Sequence, residues 1–191
     1  MAFFAAVVVV CYLVVQFAAP FIPFAWERAL TQRFPHVEID PGSADSATHR
    51  YLTSLAARVA EASDLPEDMV ITVHYIQGDT VNAFATLGGH IVIFEGLWKL
   101  LESENTAAML IGHEIAHIKN RDPIRGASGA LVVSLATGIL FGDLGIADIG
   151  NLLTAQRFNR EQERRADSDA ARTVMKLYGH LNGASDLFAR L

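Results

Sequence analysis

The most informative spacing in the sequence separates two histidines, His113 and His117, by four positions, with Glu114 between them. Residues i and i+4 lie on one face of an α-helix, so both imidazoles can reach one metal ion while the Glu114 carboxylate points alongside. Imidazole nitrogen is a good ligand for Zn²⁺, a Lewis acid without redox chemistry of its own. The pentapeptide HEIAH therefore predicts a zinc site on a helix.

A catalytic zinc site needs a third protein ligand and an open position for water. No histidine follows HEIAH at the short spacing of the HExxHxxGxxH pattern. The run NREQERRADSDA, which begins at Asn159, is typical of a helix and places Glu163 and Asp167 four residues apart on one face. Glu163 could complete a site of two histidines and one carboxylate. Asp167 could accept a hydrogen bond from the free ring nitrogen of a histidine ligand and fix its tautomer. The alternative is a solvated helix whose arginines form ion pairs, but the presence of HEIAH favours the metal site.

Three short segments that precede HEIAH are predicted as strands. Residues 69–77 alternate in polarity and are rich in β-branched side chains, and residues 81–86 and 90–94 follow after turns at 78–79 and 88–89. Strands joined by short turns usually pair with their neighbours in sequence. We therefore expect a small antiparallel sheet.

Two helices are predicted to frame this sheet. Apolar residues recur at helical spacing from Leu52 to Ala60, and a second helix begins after Ser103, a capping residue followed by Glu104 in the first turn. The second helix carries HEIAH and is expected to end near residues 120–123. The predicted fold class is α+β and mainly helical.

Composition divides the chain into two unlike parts. Its 191 residues include 15 Lys+Arg and 21 Asp+Glu, and all 36 of these charged residues (15 + 21) follow residue 26. The remaining 165 residues (191 − 26) are enough for one globular domain. A single cysteine and modest Gly and Pro contents exclude disulfide scaffolds, collagen-like chains and disordered chains. The net charge of −6 argues against a nucleic-acid-binding protein.

The first 26 residues predict a transmembrane anchor. Residues 2–15 are continuously apolar, and together with the segment that ends at Trp26 they approach the ~20 residues needed to cross a bilayer. A cleavable signal peptide and a buried core helix are the alternatives, but no Lys or Arg precedes the apolar run. We expect a single N-terminal pass in a lipid membrane. The positive charges Arg28 and Arg33 favour, weakly, a cytoplasmic position for the domain.

The organisation predicted from these features is a membrane anchor at 1–26, a linker at 27–47 and a metal-binding domain at 48–191. Residues 127–142, between the two site helices, are uncharged and short for a membrane crossing. They predict a buried or membrane-dipping amphipathic hairpin, in which Gly138 and Gly142 could form a close-packing face.

HEIAH, the downstream NR-x-x-E-x-x-AD run and the upstream NAFATLGGHIVI together resemble the membrane-associated zinc metallopeptidases of the HtpX and CAAX prenyl endopeptidase group, which are gluzincins. The resemblance covers roughly residues 70–191. It implies a zincin-like domain with one Zn²⁺ per chain. The roles that it implies are zinc ligand for His113, His117 and Glu163, general base for Glu114, and support of a histidine ligand for Asp167.

The same resemblance implies that Asn82, Ala83, Phe84 and Ala85 form the edge strand that lines the substrate cleft. An exposed edge strand can take an extended peptide as an added strand, which it binds through the main chain.

The chain departs from the family pattern at three positions. Leu87 stands where Pro is common, Asn159 where many relatives carry Ser, and Asp122 where His is common. The change at Leu87 bears on the shape of a loop. Asp122 is expected to lie off the ligand face, so the predicted site does not depend on it.

The predicted function is that of a zinc metalloendopeptidase that hydrolyses peptide bonds in membrane-associated or misfolded proteins, with membrane protein quality control favoured by analogy. Its partners would be protein or peptide substrates and the lipid membrane. One alternative is a non-catalytic membrane-anchored interaction protein that retains the fold, but the presence of Glu114 argues against it. Another is a metallohydrolase of non-peptide substrates, which would not need the edge strand. Tyr75 and Tyr178 are both conceivable oxyanion donors, and the sequence does not select between them.

Overall fold

The computed structural model describes residues 17–33, 46–126 and 158–184, together with residues 7, 9–11 and 13–14. The longer helices are α1 (Phe24–Arg33), α2 (Ala47–Ala62), α4 (Glu104–Lys119) and α5 (Arg160–Tyr178), and a short helix α3 spans Glu95–Trp98. The strands are β1 (Thr72–Ile76), β2 (Ala83–Thr86) and β3 (His90–Phe94), and 3₁₀ turns lie at Ala19–Phe21 and Leu87–Gly89. The predicted α+β, mainly helical class is confirmed.

The central helix is α4, which carries HEIAH. The side chain of Ser103 accepts a hydrogen bond from the Thr106 N–H, and Glu104 lies in the first turn, as the sequence predicts. Every residue from 106 to 118 is buried, because α2, α5 and the sheet all pack against this helix. The motif therefore lies in the core of the domain.

The helix predicted from Asn159 is confirmed as α5, and its first turn is fixed by a capping box. The Asn159 side chain accepts hydrogen bonds from the N–H groups of Glu161 and Gln162, and the Gln162 side chain accepts one from the Asn159 N–H. Ala166 and Ala170 are buried on the face toward α4. A Cβ placed on Gly112 would lie 3.4 Å from the Cα of Ala170, so small residues allow the two helices to approach closely.

The sheet is mixed, so the prediction of a wholly antiparallel sheet is wrong. The strand order is β1-β3-β2, with β1 parallel to β3 and β2 antiparallel to β3. The connection after β1 crosses the C-terminal end of β3, where the Gly78 N–H donates to the Glu95 carboxylate over 3.2 Å. A Cβ on Gly96 would lie 2.6 Å from the carbonyl oxygens of Asp79 and Thr80. No turn motif in the sequence predicts this crossing, which places β2 at the outer edge of the sheet.

Helix α1 packs against the Leu87–Gly89 turn at the end of β2. Gly88 and Gly89 have φ values of 75° and 85°, and a Cβ on Gly88 would lie 2.7 Å from Oγ1 of Thr31. Both glycines are therefore required by the backbone and by the approach of α1. The predicted linker at 27–47 overlaps this helix, and residues 34–45 lie outside the described residues.

Two further predictions concern the membrane. Among the described residues, no helix combines the length and the apolar character that a membrane crossing requires. The predicted anchor at 1–26 lies only partly within the described residues, and its side chains at Phe17, Phe21 and Trp26 are exposed. The hairpin predicted at 127–142 lies outside the described residues.

Candidate metal centre

The structure brings the three predicted zinc ligands together at the interface between α4 and α5. Nε2 of His113 lies 3.1 Å from Nε2 of His117, which is one helical turn further along α4. Glu163 approaches from α5, with 3.3 Å between its Oε2 and Nε2 of His113 and 3.8 Å between its Oε1 and Nε2 of His117. The potential ligand atoms all lie within 4.8 Å of one another.

The site is buried on the histidine side and open on the carboxylate side. His117 is 1% exposed, whereas the Glu163 side chain is 44% exposed. A metal bound here would therefore have protein on one side and room for water or substrate on the other, as a catalytic site requires.

Each histidine uses its other ring nitrogen to bind a carboxylate. Nδ1 of His113 lies 2.9 Å from Oδ1 of Asp167, as the spacing of Glu163 and Asp167 predicts. Nδ1 of His117 lies 2.9 Å from Oδ2 of Asp122. Because a carboxylate accepts, Nδ1–H donates in both contacts and the Nε2 lone pair remains for a metal. The donor set, two Nε2 atoms and a carboxylate on converging vectors, fits Zn²⁺.

Asp122 is the site residue that the sequence analysis placed wrongly. It was expected to lie off the ligand face, and it follows the end of α4 at Lys119. Arg121, the preceding residue, has a left-handed φ of 62°, and this reversal brings Asp122 back beneath His117. Helical spacing cannot reveal a contact that depends on one left-handed residue.

Glu114 lies beside the three candidate ligands and in contact with the edge strand. It is 6% exposed, and its carboxylate accepts a hydrogen bond from the Ala85 N–H. Burial raises the pKa of Glu114, and the charges of His113 and His117 together with the Ala85 bond offset part of this effect. A carboxyl with a raised pKa is suited to accept and return a proton near neutral pH.

The outer edge of β2 faces this carboxylate. The Asn82 carbonyl accepts from the Phe94 N–H over 3.1 Å, so the alternation of an antiparallel pair turns the backbone groups of Ala83 and Ala85 away from β3. The hydrogen bond from the Ala85 N–H to Glu114 shows that these backbone groups face the predicted metal site. Of the other predicted edge residues, Asn82 is exposed and Phe84 is half-buried.

Phe158 is a site residue that the sequence analysis did not identify. Its ring stacks on the imidazole of His117, with 3.9 Å between ring centroids and 26° between ring planes. The residue lies immediately before the cap of α5, so its aromatic type was the only available signal.

Tyr75 and Tyr178, the two candidate oxyanion donors, have their own contacts in the structure. The Tyr178 hydroxyl donates to Oε1 of Glu104 over 2.7 Å, at the opposite end of α4 from HEIAH. Burial, followed by this hydrogen bond, raises the pKa of Tyr178 to about 12. Tyr75 is buried in the core cluster on β1.

Residues 46–191 match the family model described as Peptidase family M48. Similar proteins include the protease HtpX homolog of Desulfatibacillum aliphaticivorans, 28% identical over an alignment of 195 positions that covers 86% of this chain and 59% of the relative. The mitochondrial metalloendopeptidase OMA1 of Schizosaccharomyces pombe is 27% identical over 152 residues, which cover 75% of this chain and 44% of the relative. The beta-barrel assembly-enhancing protease of Escherichia coli is 25% identical over 144 residues, which cover 64% of this chain and 28% of the relative.

The chain thus spans between 28% and 59% of the length of these relatives. The family match covers more than half of the chain and includes HEIAH, Glu163 and Asp167. This chain belongs to peptidase family M48, whose members are metallopeptidases.

Proposed function

We propose that this protein is a zinc-dependent metalloendopeptidase that cleaves peptide bonds in membrane-associated or misfolded proteins. The observation that carries the proposal is the convergence of His113, His117 and Glu163 within 4.8 Å, next to a buried Glu114 that also contacts the outer edge of β2. Ligands, base and a surface for main-chain binding therefore lie in one place, as hydrolysis of an extended peptide requires.

In the proposed mechanism His113, His117 and Glu163 hold the metal, and Asp167 and Asp122 keep the histidines in the tautomer that presents Nε2. Zn²⁺ bound there would supply Lewis acidity to the scissile carbonyl and to the attacking water.

The proton transfers are assigned to Glu114. It takes the proton of the attacking water and passes it to the leaving amine, and the pKa raised by burial brings its basicity closer to the working pH. The Ala85 N–H donates to the Glu114 carboxylate and keeps one of its oxygens oriented. The other oxygen is assigned to the proton transfer.

Substrate binding is proposed to occur by strand addition at β2. The backbone groups of Ala83 and the carbonyl of Ala85 face the outer edge, where an extended peptide can pair with them. A folded domain offers few extended segments with free N–H and C=O groups, whereas a misfolded protein offers many. This requirement favours quality control over processing of a folded partner.

The membrane location is a separate part of the proposal. Residues 1–26 carry no charge, and Phe17, Phe21 and Trp26 are exposed, which suits a lipid surface better than water. We assign a single N-terminal pass, with the domain on the cytoplasmic side on the basis of Arg28 and Arg33. Protection of the domain from added protease in sealed vesicles of known orientation tests the assignment, and accessibility from the opposite side would overturn it.

The experiment for the activity compares the Zn²⁺-loaded full chain with its Glu114→Gln variant on a loosely folded protein substrate. Glu114→Gln should retain zinc and lose cleavage, because the amide still accepts the Ala85 bond but cannot take a proton. Glu161→Gln, the same change at an exposed position of α5, is the matched control and should cleave normally. Undiminished cleavage by Glu114→Gln would refute the mechanism, and substrate binding without cleavage by the wild type would favour the non-catalytic interaction protein.

A further inference from the structure

The Asp122 carboxylate joins the two helices that carry the metal ligands. It is 0% exposed, and its two oxygens have different partners. Oδ2 accepts from Nδ1–H of His117 over 2.9 Å. Oδ1 accepts from Nε2 of Gln162 over 2.9 Å and lies 3.4 Å from a guanidinium nitrogen of Arg165. One buried side chain therefore contacts a ligand of α4 and the first turns of α5.

The partners of Asp122 on α5 lie on both sides of Glu163 in the sequence. Gln162 immediately precedes Glu163, and its Oε1 accepts the Asn159 N–H over 2.8 Å as part of the capping box. The Gln162 amide is thus fixed at both ends, by the start of α5 through Oε1 and by Asp122 through Nε2. A displacement of Asp122 would release the turn of α5 from which Glu163 reaches the histidines.

Asp167, the carboxylate on the other histidine, has a different environment. Its side chain is 55% exposed and belongs to α5 itself. Asp122 is wholly buried, follows α4 and reaches across to α5. Loss of the Asp167 carboxylate would remove one hydrogen bond, from Nδ1 of His113. Loss of the Asp122 carboxylate would remove the bond from Nδ1 of His117 and also the bond from Gln162 in the first turn of α5.

We propose that Asp122 is a positioning residue that sets both the orientation of His117 and the distance from His117 to Glu163, so that one buried carboxylate aligns two of the three metal ligands. The proposal rests on the proposed function in that these residues bind the metal. It concerns assembly of the site and not the hydrolytic step.

The test measures zinc affinity of the full chain by competition with a chromophoric chelator, in the Glu114→Gln background so that self-cleavage cannot interfere. Asp122→Asn keeps the volume of the side chain but can accept through only one oxygen. We expect its zinc affinity to fall ~10–100-fold, the usual effect of losing a partner of a histidine ligand. The visible spectrum of the Co²⁺-substituted protein should change as well, because the ligand geometry changes.

Gln162→Ala separates the two parts of the proposal. It removes the bond from Gln162 to Asp122 but leaves the bond from His117 and the contact with Arg165, so it should lower zinc affinity less than Asp122→Asn. The double variant should bind zinc about as weakly as Asp122→Asn alone, because both changes break the same bond between Asp122 and Gln162, and α5 keeps the two cap bonds that the Asn159 side chain accepts. Unfolding of the metal-free proteins, followed by circular dichroism, checks that each variant is folded.

Two results would overturn the proposal. The first is a folded Asp122→Asn variant with wild-type zinc affinity and an unchanged Co²⁺ spectrum. The second is full additivity of Asp122→Asn and Gln162→Ala, which would mean that Asp122 does not position Glu163 through its bond with Gln162. Neither readout depends on cleavage, so a wild-type protein that binds zinc without peptidase activity would refute the proposed function and leave this proposal standing.

Discussion

Glu27 and Arg121 form a buried ion pair that joins the N-terminal helix α1 to the end of the HEIAH helix. Oε1 of Glu27 lies 2.8 Å from a guanidinium nitrogen of Arg121, and Oε2 accepts the Gly88 N–H over 3.1 Å. Arg121 also donates to the Ile22 carbonyl and lies over the Phe24 ring. The N-terminal segment is thus linked to the turn after β2 and to the residue that precedes Asp122.

The first prediction concerns this pair. Glu27→Met should lower the free energy of unfolding by about 3–5 kcal/mol, because it leaves the Arg121 guanidinium buried without its counter-charge. The double variant Glu27→Met/Arg121→Met should recover a large part of this loss, since two apolar side chains replace two buried charges. Urea unfolding of the three proteins measures both effects. A single variant as stable as the wild type would show that α1 is not held by this pair.

The local signals in the sequence predicted the helices and the three side chains that converge between α4 and α5. Ser103 and Asn159 are caps with direct side-chain bonds to the backbone, and such bonds depend only on residues two or three positions away. The spacing of His113 and His117, and of Glu163 and Asp167, is likewise a property of one helix each. These features required no knowledge of the tertiary structure.

The features that the sequence analysis missed depend on contacts between distant segments or on one unusual backbone conformation. Glu27 falls in the predicted linker at 27–47, and only the docking of α1 makes it a buried partner of Arg121. The position of β2 beyond β3 depends on a chain crossing at Gly96. Asp122 reaches His117 because Arg121 is left-handed. None of these has a signature in periodicity or composition.

A second prediction concerns Glu163 as a metal ligand. Glu163→Ala should lower zinc affinity by more than ~100-fold, beyond the effect of losing a residue that only supports a ligand. The side chain is partly exposed, so the change should leave the fold intact. Zinc content after dialysis against a weak chelator measures the loss, with Glu161→Ala as the control at an exposed position of the same helix. Full metal occupancy in Glu163→Ala would mean that another residue completes the site.

A third prediction concerns the edge strand. Ala83→Pro removes an N–H that faces the outer edge of β2 and leaves the bonds to β3 in place. It should raise KM for a protein substrate about tenfold, because it removes one main-chain bond to an added strand, worth about 1.5 kcal/mol at most. Zinc affinity should stay unchanged. Ala83→Ser keeps the N–H and serves as the control, and an equal KM for both variants would argue against strand addition at this edge.

A fourth prediction concerns the pH dependence of stability and rests on His74 and His90. Nε2 of His74 lies 2.8 Å from Nδ1 of His90 on the neighbouring strand β3. Burial, followed by the charges of His90 and His49, lowers the pKa of His74 from 6.5 to about 4. Burial and the nearby Arg28 lower the pKa of His90 as well. The pair therefore favours its neutral form in the folded protein.

The sign of the effect follows from these lowered pKa values. Below pH 6.5 the unfolded chain takes up a proton at His74, but the folded protein does not do so until the pH approaches about 4. The stability contributed by neutral His74 is thus complete above pH 6.5 and is lost as the pH falls through this window. His74→Gln keeps a hydrogen-bonding partner for His90 and does not titrate, so it should lose less stability on acidification.

The experiment follows thermal unfolding of the metal-free protein at pH 7 and pH 5, because zinc binding is itself pH-dependent. The Tm of the wild type should fall further than that of His74→Gln, by about 2–4 °C, which corresponds to about 1 kcal/mol for a chain of this size. The effect is small because the half-buried ring remains partly in contact with water. His180→Gln makes the same change at an exposed histidine and should behave like the wild type. Equal falls in Tm for the wild type and His74→Gln would show that this histidine pair does not govern the acid sensitivity of the sheet.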